Sequence, residues 1–184
     1  MGKVLLDMAV SLDGFVAGPN DESGGLHDWF FSPAGAEAAE ESVRATGAIL
    51  IGRRTYDQGD EMDGFADSPY AVEHFVLTHD APERAARGEM KFTFVTGGIE
   101  SAIERAKTAA GGRNVAVGGG ATIARQCIEA GLVDEIQVHL VPVLLGRGIR
   151  LFDLPDVGKI ELEKTRVIDA PGVTHLMYRI VKED

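Results

Sequence analysis

The sequence predicts an α/β fold: a mostly parallel central sheet between two helical layers, with antiparallel strands added at its C-terminal side. Three observations predict it. Short apolar strands alternate with helical patterns over the first two-thirds of the chain, as in a parallel sheet built from crossover units. A buried strand ends in Gly118-Gly119-Gly120 and opens a helix, a turn suited to an anion. The last two runs alternate and are split by Ala170-Pro171-Gly172, which reads as an antiparallel pair.

Taken in order, Val4 to Val10 is apolar except for Asp7 and reads as a central strand. A long loop follows, marked by Asp13-Gly14, Gly18-Pro19-Asn20 and Gly24-Gly25. Loops of this length in a compact domain are functional or mobile. Trp29, in His27-Asp28-Trp29-Phe30-Phe31, either walls a flat ligand or anchors a lid on the core. Gly35 to Thr46 reads as an Ala-rich helix and Ala48 to Ile51 as a buried strand. Asp57 to Ser68 is acidic and glycine-containing, and is expected to be a loop or exposed cover. Phe75 to Thr78 and Phe92 to Val95 are further strands.

Ile99, Ala102, Ile103 and Ala106 recur at helical spacing before Gly111-Gly112 stops the helix. Val115 to Val117 is a strand, and Ala121 to Ala130 a helix ended by Gly131. Ile136, Val138 and Leu140 alternate, so the run to Leu145 is a strand serving either the core or a subunit contact. Ile160 to Ile168 and Val173 to Val181 complete the chain.

The chain has 184 residues, 45% of them hydrophobic, enough for one core and consistent with a single domain over 1–184. No apolar run approaches the ~20 residues that span a bilayer. The acidic N-terminal stretch carries no export pattern, and the lone Cys127 fits a reducing compartment; a cytoplasmic location is expected. A net charge of -11 argues against nucleic-acid binding. A polyanionic cofactor therefore needs a local basic cluster.

The triple glycine fails two familiar tests. No lysine follows it, as a Walker loop requires. Ile123 stands where a Rossmann fingerprint has its third glycine. A generic turn and an anion cradle remain the alternatives, and the strand–glycine–helix order favours the cradle. Gly52-Arg53-Arg54-Thr55 ends another strand, on the side where α/β sheets bind ligands. Arginine there either grips a phosphate or is a solvated pair. Thr78 and His79 end the next strand and can complete a 2′-phosphate pocket. Asp13-Gly14 is locally a turn. The chain has no C-x-x-C, H-E-x-x-H or G-x-S-x-G, and its five histidines lack ligand spacing. Metal and covalent chemistry are thus disfavoured, whereas hydride transfer leaves the reactive atom to a cofactor.

The ordered set SLDGFVAG, GRRTY, VLTH, VGGGATIA and DEIQVHLVPVLLGRGIRLF resembles the dihydrofolate reductase-like fold, a three-layer α/β/α architecture. It is most similar to the C-terminal reductase domain of the riboflavin-biosynthesis deaminase/reductase and its stand-alone relatives. The resemblance covers nearly the whole chain. It implies an NADPH-dependent reductase, usually a homodimer. It places Gly52, Arg53 and Thr55, with neighbouring Arg54, at the adenosine phosphate side, and Thr78 and His79 near the 2′-phosphate. Gly118, Gly119 and Gly120, with Ala121, Thr122 and Ile123, fall at the pyrophosphate. Ala9, Val10 and Val16 approach the nicotinamide, and Asp13 sits at the substrate side with Trp29.

Two departures qualify the match. The zinc-ligand H-x-E and P-C-x-x-C pair of the deaminase is absent. The acid that binds a pterin in folate reductases has no counterpart in clear register, Glu37 being the first acid after Trp29. Between Val4 and Val43 there is also no lysine or arginine, so unless Arg147, Arg150 or a second subunit supplies a basic contact, a neutral or weakly basic heterocycle suits this side better than a ribose phosphate. The expected activity is hydride transfer to a pterin- or pyrimidine-like molecule, with Asp13 or water relaying the proton and Glu37 a second candidate acid. A non-catalytic nucleotide- or ligand-binding protein on the same fold is the alternative.

Overall fold

The computed structural model describes residues 2–33, 35–62, 64–66, 68–84, 88–155 and 157–182. In chain order the elements are β1 (Val4–Ser11), β2 (Phe15–Ala17), a 3-10 turn (Asp28–Phe31), α1 (Ala36–Ala45), β3 (Thr46–Gly52), α2 (Arg53–Met62), β4 (Glu73–Leu77) and β5 (Phe92–Val95). Then come α3 (Ile99–Ala110), β6 (Asn114–Gly119), α4 (Ala121–Glu129), β7 (Glu135–Val141), β8 (Ile149–Arg150), β9 (Leu162–Ala170) and β10 (Val173–Ile180). The main sheet has the order β5-β4-β3-β6-β1-β7-β10-β9. It is parallel from β5 to β7, and β10 and β9 close it antiparallel. β2 and β8 form a small separate antiparallel pair.

Parallel strands buried on both faces read as unbroken apolar runs, and β3, TGAILIG, is buried throughout. Residues on one face of β1 (Val4, Leu6, Met8, Val10) pack with Ile99, Ile103 and Ala106 of α3 and Ile123, Ala124 and Cys127 of α4. α3 ends at Gly111, whose φ of 60° is the left-handed geometry of a helix stop. Burial raises the Cys127 thiol to about 12, so it is inert packing. On the opposite face Tyr56 of α2 packs with Ile49, Ile51, Val76 and Ala116. A third cluster, Ala9, Leu26, Trp29, Val141 and Val173, ties the long loop onto β1, β7 and β10.

Several expectations are corrected. Much of the segment 57–68 is the second half of α2, not a loop. Tyr56 is the one residue of the helix that is buried, Met62 at its end being exposed, so its apolar pattern is too sparse to read. Arg53 and Asp57 support it as an i,i+4 pair. Gly59 is required there, because a Cβ would stand 2.3 Å from the Phe65 ring. Thr46 belongs to β3 rather than to the preceding helix, its hydroxyl bonding back to the Ser42 carbonyl. β7 ends at Val141 rather than running to Leu145; it is paired on both edges, and its Ile136, Val138 and Val141 are buried in the core.

Candidate active site

β1 and β6 pair only from Val4↔Val115 to Leu6↔Val117. β1 and β7 stay paired as far as Ser11↔Val141. The C-terminal halves of β1 and β6 therefore diverge, and a crevice opens between them. The strand order also reverses here: the chain leaves β1 toward β3 on one side, and β6 leads to β7 on the other. Such switch points are where open α/β sheets bind ligands.

The two glycine-bearing segments meet at this crevice. A Cβ on Gly52 would lie 3.0 Å from Ile123 Cγ1 and 3.9 Å from the Gly120 nitrogen. One on Gly119 would lie 3.3 Å from Thr55 Oγ1. Gly52, Thr55, Gly119, Gly120 and Ile123 thus come together as one cradle, where the glycines let the two segments approach closely. Gly119 has a φ of 143°, and the Gly119–Gly120 peptide is cis. No side chain caps α4 at Gly120. Ile123 and Ala124 donate their amides to the Gly120 carbonyl, leaving the first-turn amides of Ala121 and Thr122 without an intrahelical acceptor. The dipole and these donors suit an anion.

The basic residues beside the cradle have partners. Arg53 Nε donates to Asp57 at 2.8 Å and its Nη1 to the Asp80 carbonyl at 2.9 Å. Thr78 Oγ1 donates to the same carbonyl at 2.8 Å, and His79 is exposed. Arg54 pairs with Asp21 of the long loop. Arg53, Thr78 and His79 therefore gather at the ends of β3 and β4, while Arg54 turns to the loop. Ala9 and Val10 lie on β1 beside the crevice, and Val16 packs on the main core.

On the substrate side the expected acids behave differently from one another. Asp13 Oδ1 accepts from Ser11 Oγ at 2.6 Å and from the Leu145 amide at 3.2 Å, and Oδ2 accepts from the Gly146 amide at 2.7 Å. The Ser11 hydroxyl, helped by these amides, lowers its pKa. Such a carboxylate stays ionised and ties two loops together, so its geometry fits an anchor better than a proton donor. Glu37 is exposed in the first turn of α1. Trp29 is buried, its ring centroid 4.3 Å from His139 and 4.8 Å from His175.

Those two histidines belong to a cluster that sequence reading missed. His139 Nε2 lies 2.6 Å from Asp7 Oδ1, and His139 Nδ1 lies 2.6 Å from His175 Nδ1. Asp7 Oδ2 accepts from Ser42 Oγ of α1 at 3.0 Å, which in turn meets the Tyr70 hydroxyl at 3.0 Å. Burial, then the charge of Asp7, drives Tyr70 up to about 12. Burial, then the neighbouring His139, drives His175 down to about 4. Asp7 stands alone as the polar residue of its apolar run, and that was the available signal, whereas His139 shares its face of β7 with Glu135 and Gln137. No described group of three or more His, Cys, Asp or Glu is arranged to hold a metal ion.

A family profile of RibD C-terminal domains matches residues 2–174. The chain belongs to the RibD C-terminal domain family. YyaP of Bacillus subtilis (strain 168), described as uncharacterized, is 27% identical over 183 residues, covering 96% of this chain and 94% of that protein. A candidate riboflavin biosynthesis protein of Shewanella sp. PV-4 superposes with a TM-score of 0.79 at 22% identity, covering 98% of this chain and 99% of that one. Dihydrofolate reductase from Enterococcus faecalis, in complex with NADP(H), superposes with a TM-score of 0.61 at 14% identity, covering 97% of each chain. The RibD C-terminal domain seen here thus has the dihydrofolate reductase-like architecture that the sequence resembles. Within this RibD-type crevice the phosphate-suited cradle and the Asp7 cluster both border the divergent half of β1.

Proposed function

We propose that the protein is an NADPH-dependent reductase that transfers hydride to a pterin- or pyrimidine-like heterocycle in the β1/β6 crevice. The observation that carries this reading is the convergence of Gly52 and Thr55 with Gly119, Gly120 and Ile123 at the uncapped α4 N-terminus. Family membership supports a reductase-type activity. When bound, the reduced nicotinamide supplies the hydride. The amides of Ala121 and Thr122 hold the pyrophosphate, and Arg53, with Thr78 and His79, receives the 2′-phosphate. Ala9 and Val10 leave room for the nicotinamide beside β1. Trp29 and the long loop exclude water from the reacting face.

The substrate is a neutral or weakly basic ring rather than a phosphorylated one. Three arginines bordering this side are already engaged, Arg54 with Asp21, Arg166 with Glu41 and Arg150 with the Asp13 carbonyl, while Arg147 beside Gly146 is exposed. Asp7 and Asp13 are the carboxylates nearest the divergent half of β1. If the protein is a homodimer, β9 offers the open edge of the sheet, with Leu162 and Val167 exposed.

Calorimetry with NADPH and NADH tests the cofactor, and loss of reduced-nicotinamide absorbance with a panel of unphosphorylated pterins and pyrimidines tests the reaction. Tight NADPH binding with turnover of a panel member is expected. Failure of both dinucleotides to bind at about millimolar concentration, an affinity of only ~4 kcal/mol, overturns the reading. Binding without turnover favours a ligand-binding protein on the same fold.

A further inference from the structure

Asp7 is the first residue of β1 past the last β1–β6 pair, and two residues before Ala9 on the same face. It thus stands at the floor of the crevice. Its carboxylate is held from two sides, by His139 on β7 and Ser42 on α1. Each carboxylate oxygen has two acceptor sites, so both retain capacity after these bonds. Its side chain is 10% exposed, and that of His139 behind it 6%.

Stability alone explains this cluster poorly. Buried charged and polar groups are costly, and an apolar set of similar volume commonly serves a fold as well. A purely structural network is expected to be fully satisfied. Here His175 Nε2 and Trp29 Nε1 are both buried without a hydrogen-bond partner. They flank the same spot, since the Trp29 ring packs on both imidazoles.

We propose that Asp7, His139 and His175 form a proton relay that serves the reduced ring, with Asp7 as the group that touches substrate; this rests on the reductase reading above. Asp7 accepts an N–H from the edge of an amidine-like ring. His139 begins as an imidazolium, with Nε2–H toward Asp7 Oδ1 and Nδ1–H toward Nδ1 of neutral His175. When the ring carbon of the C=N bond accepts hydride, the π pair moves to nitrogen. The proton for that nitrogen leaves His139 Nε2 and passes through the Asp7 carboxylate, which ends ionised as it began. The C=N bond is reduced by two electrons, the nicotinamide is oxidised by two, and His139 is left neutral until solvent reloads it after product leaves. His175 positions the ring of His139 and keeps its Nδ1 proton in place. Trp29 closes the relay from bulk water.

The test uses 2-aminopyrimidine as probe and the full-length protein. The chain has a single tryptophan, Trp29, so its fluorescence reports occupancy directly. Ring nitrogen-15 NMR of the histidines reports the relay. Probe binding is expected to quench Trp29 and to shift the His139 and His175 signals together, leaving exposed His79 unmoved. Asp7→Asn is expected to weaken the probe about tenfold or more, the size of a lost bond to a charged group, and to abolish both histidine shifts. NADPH affinity is expected to stay within about twofold. If Asp7→Asn fails to fold, Ser42→Ala provides the milder test and is expected to weaken the probe a few fold. Unmoved His139 and His175 signals at saturation, or equal probe affinity in a folded Asp7→Asn, overturn the relay. NADPH binding with unmoved signals sinks the relay alone, whereas shifted signals without NADPH binding sink the reductase reading alone.

Discussion

The Gly146 amide donates to Asp13 Oδ2 at 2.7 Å, joining the loop after β1 to the loop after β7 across 133 positions of sequence. Ser11 completes the joint, accepting from the Phe15 amide while its hydroxyl donates to Asp13. Asp13→Ala is expected to speed hydrogen exchange at Phe15, Leu145 and Gly146 together. The folded pKa of Asp13 is depressed below its ordinary 3.8. Its contribution is therefore fully present above that value and lost as pH falls through the folded pKa. The exchange difference between wild type and Asp13→Ala should vanish in that acidic window.

Arg53→Ala is expected to weaken NADPH by about tenfold or more and NADH by less than about twofold. Calorimetric titration checks this. The Asp57 carboxylate competes for the same guanidinium, so Asp57→Asn should shift NADPH affinity in the opposite direction.

Gly119→Ala is expected to cost about 1–3 kcal/mol of stability. A φ of 143° disfavours any side chain, and the new Cβ would crowd Thr55 Oγ1 at 3.3 Å. Thermal unfolding measures the loss. Dinucleotide binding should fall with it, because the methyl occupies the cradle.

His175 has a folded pKa of about 4 against 6.5 for the free group. Burial, then His139 and Arg166, opposes the charged form, while Asp7 favours it. Its neutral state contributes stability that is fully present above about pH 6.5 and declines as pH falls toward about 4, by up to about 3 kcal/mol. His175→Gln should flatten the fall in melting temperature between about pH 7 and about pH 5 relative to wild type. An unchanged slope would contradict this assignment.

Strand and helix order was readable because each buried strand is a short apolar run and each core helix repeats at three and four residues. α3 shows this best, with Ile99, Ala102, Ile103 and Ala106 inward and Gly111 as its stop. α2 escaped because only Tyr56 of its ten residues is buried. The cradle was legible because glycine runs are local. The Asp7–His139–His175 cluster was not, because 132 residues separate its first pair. Only the β1–β7 and β7–β10 registers bring these residues to one face. The lone polar residue in VLLDMAV was the clue, and its partner could not be named without the pairing of strands.

The short β1–β6 ladder has a mechanical consequence. Three rungs, Val4↔Val115 to Leu6↔Val117, join β5-β4-β3-β6 to β1-β7-β10-β9. The sheet is a book with a short spine, its pages sewn at one end and free at the other. A ligand wedged between the free pages applies its leverage to those rungs, while the pairings within each page stay intact. The amides of Val115 to Val117 are therefore the place where occupancy should be felt at a distance, and hydrogen exchange there should change on cofactor binding even though none of the three lies in the cradle.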